Sequence, residues 1–252
     1  MTISSFIKCL FLAVVATTTE VQSFFTIAPT ATNANTAAVK NTLSDKQIIE
    51  LAKDYVTNKN GFYKPIDADA HAEDFVFRGG VVGPLNKADY AKTMTKLGIA
   101  EAFDLDPNAF GFCVDPQVKN TARFYVRYTG RQVKNWKVAG TPFDIPPEEG
   151  NKRPIVGPTE SFCVQFNDEG KARFLTISAP MAFGNPEQPT TGQLGAVLGL
   201  FNHVGLEVAA NSALNSNVRQ LGNAAADLLP DEVSPPRTSS KKEDLPTWWK
   251  ED

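Results

Sequence analysis

Cysteine and histidine are scarce, three and two in 252 residues. Cys9 lies in a leader read below as cleaved, so Cys113 and Cys163 remain, too few for the disulfide framework of a small secreted protein. Each reads as a small buried hydrophobe in a strand, or the two form a single bridge between neighbouring strands. His71 and His203 stand far apart and no cysteine cluster has ligand spacing, so no closed metal site is expected. An excess of one charge is also lacking: a net charge of -3 provides no electrostatic footprint for a polyanion, which sets nucleic acid aside. There is no nucleophile elbow, P-loop or dinucleotide fingerprint, so covalent chemistry and a cofactor are not expected. What is present, 42% hydrophobic and 21% charged residues, suits one folded core with tails and excludes wholesale disorder.

Residues 1–23 read as a secretory signal, with Lys8 as the basic region, the apolar run "CLFLAVVA", and small or polar residues leading to Ser23. The run is too short to span a membrane. Residues 24–43, "FFTIAPTATNANTAAVKNTL", hold no acid and one lysine, which is transit-peptide composition. With Phe24 or Phe25 at the junction, "VQSFFTIAP" resembles the bipartite presequence that sends proteins into the complex plastids of diatoms and related algae. That resemblance implies delivery to the plastid (chloroplast) through the secretory pathway; the alternative is secretion with a disordered spacer.

The folded part opens at Ser44, an N-cap with Gln47 as its capping-box partner, before a helix with Ile48, Leu51, Ala52, Tyr55 and Val56 on its apolar face. A short acidic, alanine-rich helical segment, "DADAHAED", leads to the strand "FVFRGG". In "FVFRGGVVGPLNKADYAK" the glycines Gly79, Gly80 and Gly83 let the strand end tightly, Pro84 stiffens the exit, and Asn86 caps a helix carrying Tyr90, Met94, Leu97 and Ile99 to about Phe103. The loop does not end in Gly-Lys-Ser or Gly-Lys-Thr, so it reads as a turn, with Arg78 as an anion contact in the other reading. From residue 109 the period becomes two, over the strands "AFGFCVD", "TARFYVRYTG", "TESFCVQFND" and "ARFLTISAP". Phe162, Val164 and Phe166 share one face, and Ser161, Cys163 and Gln165 the other. Helices on one face of an antiparallel sheet make an α+β domain.

Over residues 44–182 the chain resembles the nuclear transport factor 2-like superfamily in its SnoaL-like branch. The likeness rests on "DKQIIELAKDYV", "FVFRGGVVGPLNKADYAKTM", "FYVRYTG" and "ESFCVQFNDEGKARFLTIS". It implies a curved sheet wrapped around helices into a cone with one open end. Residues 183–229 form a glycine-rich helical extension, with Leu194, Leu198, Phe201, Val204 and Val208 at helical spacing and Gly195 and Gly199 four apart. It packs on the domain or covers the open end, or else lies on a membrane surface. Residues 230–252 read as a mobile tail apart from Trp248 and Trp249, a docking contact or an interfacial anchor.

The open end of such a cone is where a small molecule binds. The period-two reading turns Phe75, Phe77, Phe110, Phe112, Val114, Phe124, Val126 and Tyr128 inward, an interior suited to a flat or greasy ligand. Arg123, Tyr125 and Arg127 fall on the polar side as an outer rim or a homodimer contact, and Arg127 binds a carboxylate if a bulge turns it inward. The expected ligand-binding set is therefore Phe75, Phe77, Phe112, Phe124, Tyr128 and Arg127. Relatives in this superfamily transfer protons with an Asp, often with a His. The nearest matches are Asp115, otherwise a turn starter before Pro116, and His71, otherwise solvated or edge-packed; no catalytic residue is assigned. Three readings follow in order: a binder of a pigment, quinone or lipid-derived compound; an interaction module docking through its C-terminal extension; an isomerase, cyclase or dehydratase.

Overall fold

Ser44 begins the first helix, α1 (Asp45–Asp54), through a complete capping box: its backbone N–H donates to Gln47 Oε1 at 2.9 Å and its hydroxyl accepts the Gln47 N–H. The computed structural model describes residues 40–147, 154–178, 190–192 and 195–249. Of the presequence expected over residues 1–43, residues 1–39 lie outside the described residues, as do Leu194 and the side chain of Val208. A π-helical turn, Tyr55–Lys59, extends α1, and Ile48, Ala52, Tyr55 and Val56 are buried along one side.

The short helix expected before the first strand shrinks to a single 3-10 turn, Ala68–Ala70, and β1 (His71–Gly79) begins at the histidine. β2 (Leu85–Asn86) follows the glycine loop, and Asn86 caps α2 (Lys87–Leu97) by accepting the Asp89 N–H at 2.9 Å. Gly98, left-handed at φ 61°, ends that helix, so α3 (Ile99–Ala102) is a separate turn rather than its continuation. The strands are β3 (Phe103–Asp106), β4 (Ala109–Val114), β5 (Thr121–Val126), β6 (Thr129–Gln132), β7 (Trp136–Lys137), β8 (Asp144–Ile145), β9 (Ile155–Val156), β10 (Glu160–Phe166) and β11 (Ala172–Ile177).

The main sheet has the order β2-β1-β11-β10-β5-β4, antiparallel except where β1 lies parallel to β11. "TARFYVRYTG" is not one strand: it leaves the main sheet after Val126 and resumes as β6 in a smaller sheet, β3-β6-β9, which puts Tyr128 at the corner. Helix α1 packs on β4 and β5 and α2 on β1 and β2, with their buried residues in one core. The result is an α+β cone: a curved sheet wrapping helices.

A bulge corrects two expectations on β4. The register with β5 shifts between Phe110 and Cys113, and Gly111 takes φ 68° against the Tyr125 ring. Phe110 therefore leaves the inward set and lies 46% exposed beside Tyr125, while Phe112 stacks on Phe124 at 4.6 Å. Cys113 is exposed rather than buried, and the register sets Arg123 between it and Cys163; both thiols are free.

The C-terminal extension divides into α4 (Ala196–His203), α5 (Glu207–Leu214) and α6 (Ser216–Leu228), broken at Gly205, φ 82°, and at Asn215. No helix among the described residues is long and apolar enough to cross a membrane. The tail expected to be mobile is a strap. Ser234 is fully buried, Gly83 N–H donates to Thr238 O at 2.7 Å, Ser240 N–H donates to Pro84 O at 2.8 Å, and the Trp248 indole donates to Asp74 O at 2.9 Å. These contacts join the strap to backbone atoms of β1 and of the glycine loop, a pairing that no local pattern of apolar residues encodes.

Candidate functional site

The inner faces of β1, β10 and β11, the buried side of α2, and α4 enclose a cavity of about 430 Å³, and Pro236, Arg237 and Thr238 of the strap complete its wall. Its lining is apolar and aromatic, including Tyr63, Phe77, Tyr90, Met94, Phe162 and Phe201. Two charged residues depart from this character, Arg237 of the strap and Glu160.

Glu160 opens β10 and shares the inward parity of Phe162, Val164 and Phe166; all four are buried. Its Oε1 accepts the backbone N–H of Ala196 at 3.3 Å, whereas Oε2 is buried with no hydrogen-bond partner among the described residues. Burial pushes the carboxyl up to about 7, opposed by the Ala196 N–H. The glycines at the start of α4 bring it this close. Gly195 sits at φ 86°, and a Cβ there would stand 3.1 Å from Glu160 Oε1. At Gly199 a Cβ would press on Thr191, whose hydroxyl shares a hydrogen bond of 3.1 Å with Tyr128; the Tyr128 hydroxyl also lies 3.2 Å from Ala196 O. The glycine pair thus serves a close approach inside this chain.

A second polar cluster lies behind the aromatic lining. His71 Nδ1 is 2.9 Å from Asp67 O and Nε2 is 2.9 Å from the Tyr55 hydroxyl. A carbonyl only accepts, so Nδ1 carries the proton and Nε2 accepts from Tyr55. Burial lowers the imidazole to about 4, against the Asp67 carbonyl, which favours the charged form. His71 is thus buried, neither solvated nor edge-packed, because its strand starts earlier than expected and carries it under the core. It is outside the cavity lining; its ring meets Tyr90, 5.6 Å away, and Tyr90 forms part of the wall.

Of the expected ligand set, Phe77 lines the cavity. Phe75 lies behind it, 4.5 Å from the His71 ring and 5.2 Å from Tyr90. Phe112 and Phe124 belong to a stack that reaches the cavity only through Phe162, 5.4 Å from Phe124. Tyr128 supports α4 from below. Arg127 donates from Nε to Thr159 Oγ1 at 2.9 Å and is not among the lining residues. Asp115 lies away from the cavity and is buried; burial raises its pKa, but the N–H groups of Gln117 and Val118 and the paired Arg123 together hold it below the ordinary value. The Arg78 guanidinium donates to Gly83 O, closing its own loop as a turn.

Glu160 was missed by sequence reasoning although its signal was there. The alternation that groups Phe166, Val164 and Phe162 reaches Glu160 at the next step of two, and an acid on the buried face of a strand is a rare placement. Phe201 falls in the apolar stripe of the extension expected to cover the open end, whereas Arg237 of the strap has no comparable signal.

No family model matches the sequence, and no curated protein matches it. Among solved structures the chain is similar to an LEH-like epoxide hydrolase of M. tuberculosis, with 6% identity, 53% of this chain and 83% of that chain covered, and a TM-score of 0.37. It is similar also to a Jannaschia protein provisionally assigned as a SnoaL-like polyketide cyclase, at 14% identity over 53% of this chain and 85% of that one, TM-score 0.37. A third is a protein with a ketosteroid isomerase-like fold from Catenulispora acidiphila, at 7% identity over 55% and 89%, TM-score 0.36.

Proposed function

We propose that this chain is a plastid protein that binds an apolar small molecule, of the size of a pigment, quinone or lipid-derived compound, inside the cone with Glu160 as its polar anchor. The observation that carries this reading is the buried Oε2 of Glu160, without a hydrogen-bond partner among the described residues, in a mainly apolar cavity of about 430 Å³. A buried acceptor without a donor destabilises the empty protein, and a ligand with one hydrogen-bond donor removes that penalty while its apolar body leaves water. Native mass spectrometry of the mature chain, purified gently from its own cells, is expected to reveal a bound small molecule. An empty chain that no apolar compound stabilises against heat overturns the binding reading. For the address, fusion of residues 1–43 to a fluorescent protein is expected to label the plastid; export of the fusion overturns it.

A second reading rests on the buried carboxyl of Glu160, which burial pushes up to about 7, the condition under which a glutamate gives and takes protons at working pH. It would make the chain an isomerase, cyclase or dehydratase. Exchange of an acidic C–H of the copurified ligand with deuterated water, present with the wild type and absent with Glu160→Gln, supports it. No exchange with either leaves binding alone.

A further inference from the structure

The charges around the cavity constrain what it can hold. Its ionisable lining residues are Tyr63, Tyr90, Glu160 and Arg237. Burial keeps both phenols protonated. Arg237 is matched on the strap side, with Nε 3.5 Å from Asp89 and its other end paired to Asp227. Glu160 has no cationic side chain within ion-pair reach among the described residues, so its negative charge, when present, has no counter-charge among them.

We infer that the molecule held in the cone carries one protonated amine that pairs with the free oxygen of Glu160, on an apolar body that rests against the aromatic walls. The inference rests on the cavity-binding reading above and narrows it to a class. A neutral donor such as a hydroxyl satisfies one lone pair of Oε2 but leaves the charge uncompensated. A ligand carboxylate repels it. An ammonium supplies both the hydrogen bond and the charge, and with Ala196 N–H on the other oxygen each carboxylate oxygen then has a partner. Desolvation normally makes a buried ion pair unprofitable. Here the carboxylate was desolvated when the chain folded, so only the amine pays that penalty on binding. The rings of Tyr63, Phe77, Tyr90, Phe162 and Phe201 line the same space, and aromatic faces attract a cation where water is excluded.

Three probes of one shape separate the possibilities: 2-naphthylmethylamine, 2-naphthylmethanol and 2-naphthoic acid, titrated calorimetrically into the full chain and its Glu160→Gln variant at about pH 8, where the amine is protonated. The expected result is that the amine binds the wild type roughly tenfold or more tighter than the alcohol, a gap of one decade in Kd, and that the acid does not bind. In Glu160→Gln the amine is expected to fall to the level of the alcohol, whose retained affinity shows the cavity intact. Equal binding of amine and alcohol to the wild type, or an amine preference that survives in Glu160→Gln, overturns the amine assignment and leaves apolar binding standing. No binding of any probe to either protein overturns both.

Discussion

Glu160 Oε1 and the backbone N–H of Ala196 meet at 3.3 Å, joining the first residue of β10 to the first residue of α4. One hydrogen bond thereby ties the C-terminal extension to the interior of the cone. It also divides the carboxyl into an oxygen bonded to the backbone and an oxygen with no hydrogen-bond partner among the described residues.

Two buried groups make stability respond to pH in opposite directions. Glu160 titrates near 7 in the fold against an ordinary 4.5, so the folded chain holds its proton more tightly and stability falls as pH rises from about 4.5 to about 7. The groups facing it, Tyr63 and Tyr128, stay protonated across this range. His71 titrates near 4 against an ordinary 6.5, mainly through burial, with Lys87 lowering it further and Asp67 opposing. Its contribution is fully present above 6.5 and is lost as pH falls towards 4. Each effect is of order 3 kcal/mol, so the slopes nearly cancel between about pH 4.5 and 6.5. Urea unfolding of the wild type is expected to be almost independent of pH there. Glu160→Gln removes one slope and is expected to gain about 2–3 kcal/mol across the window. A steep wild-type profile that the substitution leaves unchanged contradicts the assignment.

The difference between what could and could not be read beforehand is physical. Capping residues act locally, so Ser44 with Gln47 and Asn86 announced two helices from their own neighbours. Strand alternation announced the inner face of β10, but only a pleat uninterrupted by a bulge keeps its parity. Gly111 breaks it on β4 and turns Phe110 outward, and a glycine within a strand is the weak signal that such a break leaves. The Glu160 site was half legible, since parity buries the acid, but its partner Ala196 is 36 residues away. Of the strap only Trp248 and Trp249 were legible, as a docking contact; Thr238 and Ser240 reach backbone atoms more than a hundred residues distant, and polar residues rich in Pro and Ser look the same whether docked or free.

Removing the Tyr55 hydroxyl strands an acceptor. In Tyr55→Phe, His71 Nε2 keeps its burial and loses its donor, an expected loss of about 1–3 kcal/mol. The double variant Tyr55→Phe with His71→Leu replaces both polar partners, so it is expected to lose less than the two single losses added together. Additive losses in thermal unfolding would mean that the two groups are not coupled.

Gly199 and Gly222 offer a paired test of why the extension is rich in glycine. A methyl at Gly199 would lie 3.0 Å from Thr191 Cβ and closer still to its hydroxyl, whereas at Gly222 nothing stands within 4 Å. Gly199→Ala is expected to lose about 1–3 kcal/mol by pushing α4 off Thr191 and Tyr128. Gly222→Ala, inside α6, is expected to gain about 0.5–1 kcal/mol from helix propensity alone. Equal responses would show that Gly199 is not a contact point.

The strap is the wall of the cavity that comes last in the chain, and its anchors lie at both ends. Lys96 Nζ donates to Ser234 O at 2.9 Å at one end; at the other Trp248 donates to Asp74 O and lies under the Arg173 guanidinium at 4.7 Å. Between them Arg237 joins Asp89 of α2 to Asp227 of α6. Truncation after Leu229 removes every one of these contacts together with the lining from Pro236 to Thr238. The sheet and α1–α4 do not depend on the strap for their hydrogen-bond ladders, so circular dichroism is expected to retain its strand and helix signal. A hydrophobic dye such as anilinonaphthalene sulfonate is then expected to gain fluorescence as Met94, Phe77 and Phe201 become accessible, while Trp248→Ala alone, which leaves Pro236–Thr238 in place, changes it little. If truncation leaves dye fluorescence at the wild-type level with the fold intact, the strap does not close the cavity, and access to Glu160 must be controlled from the side of α4.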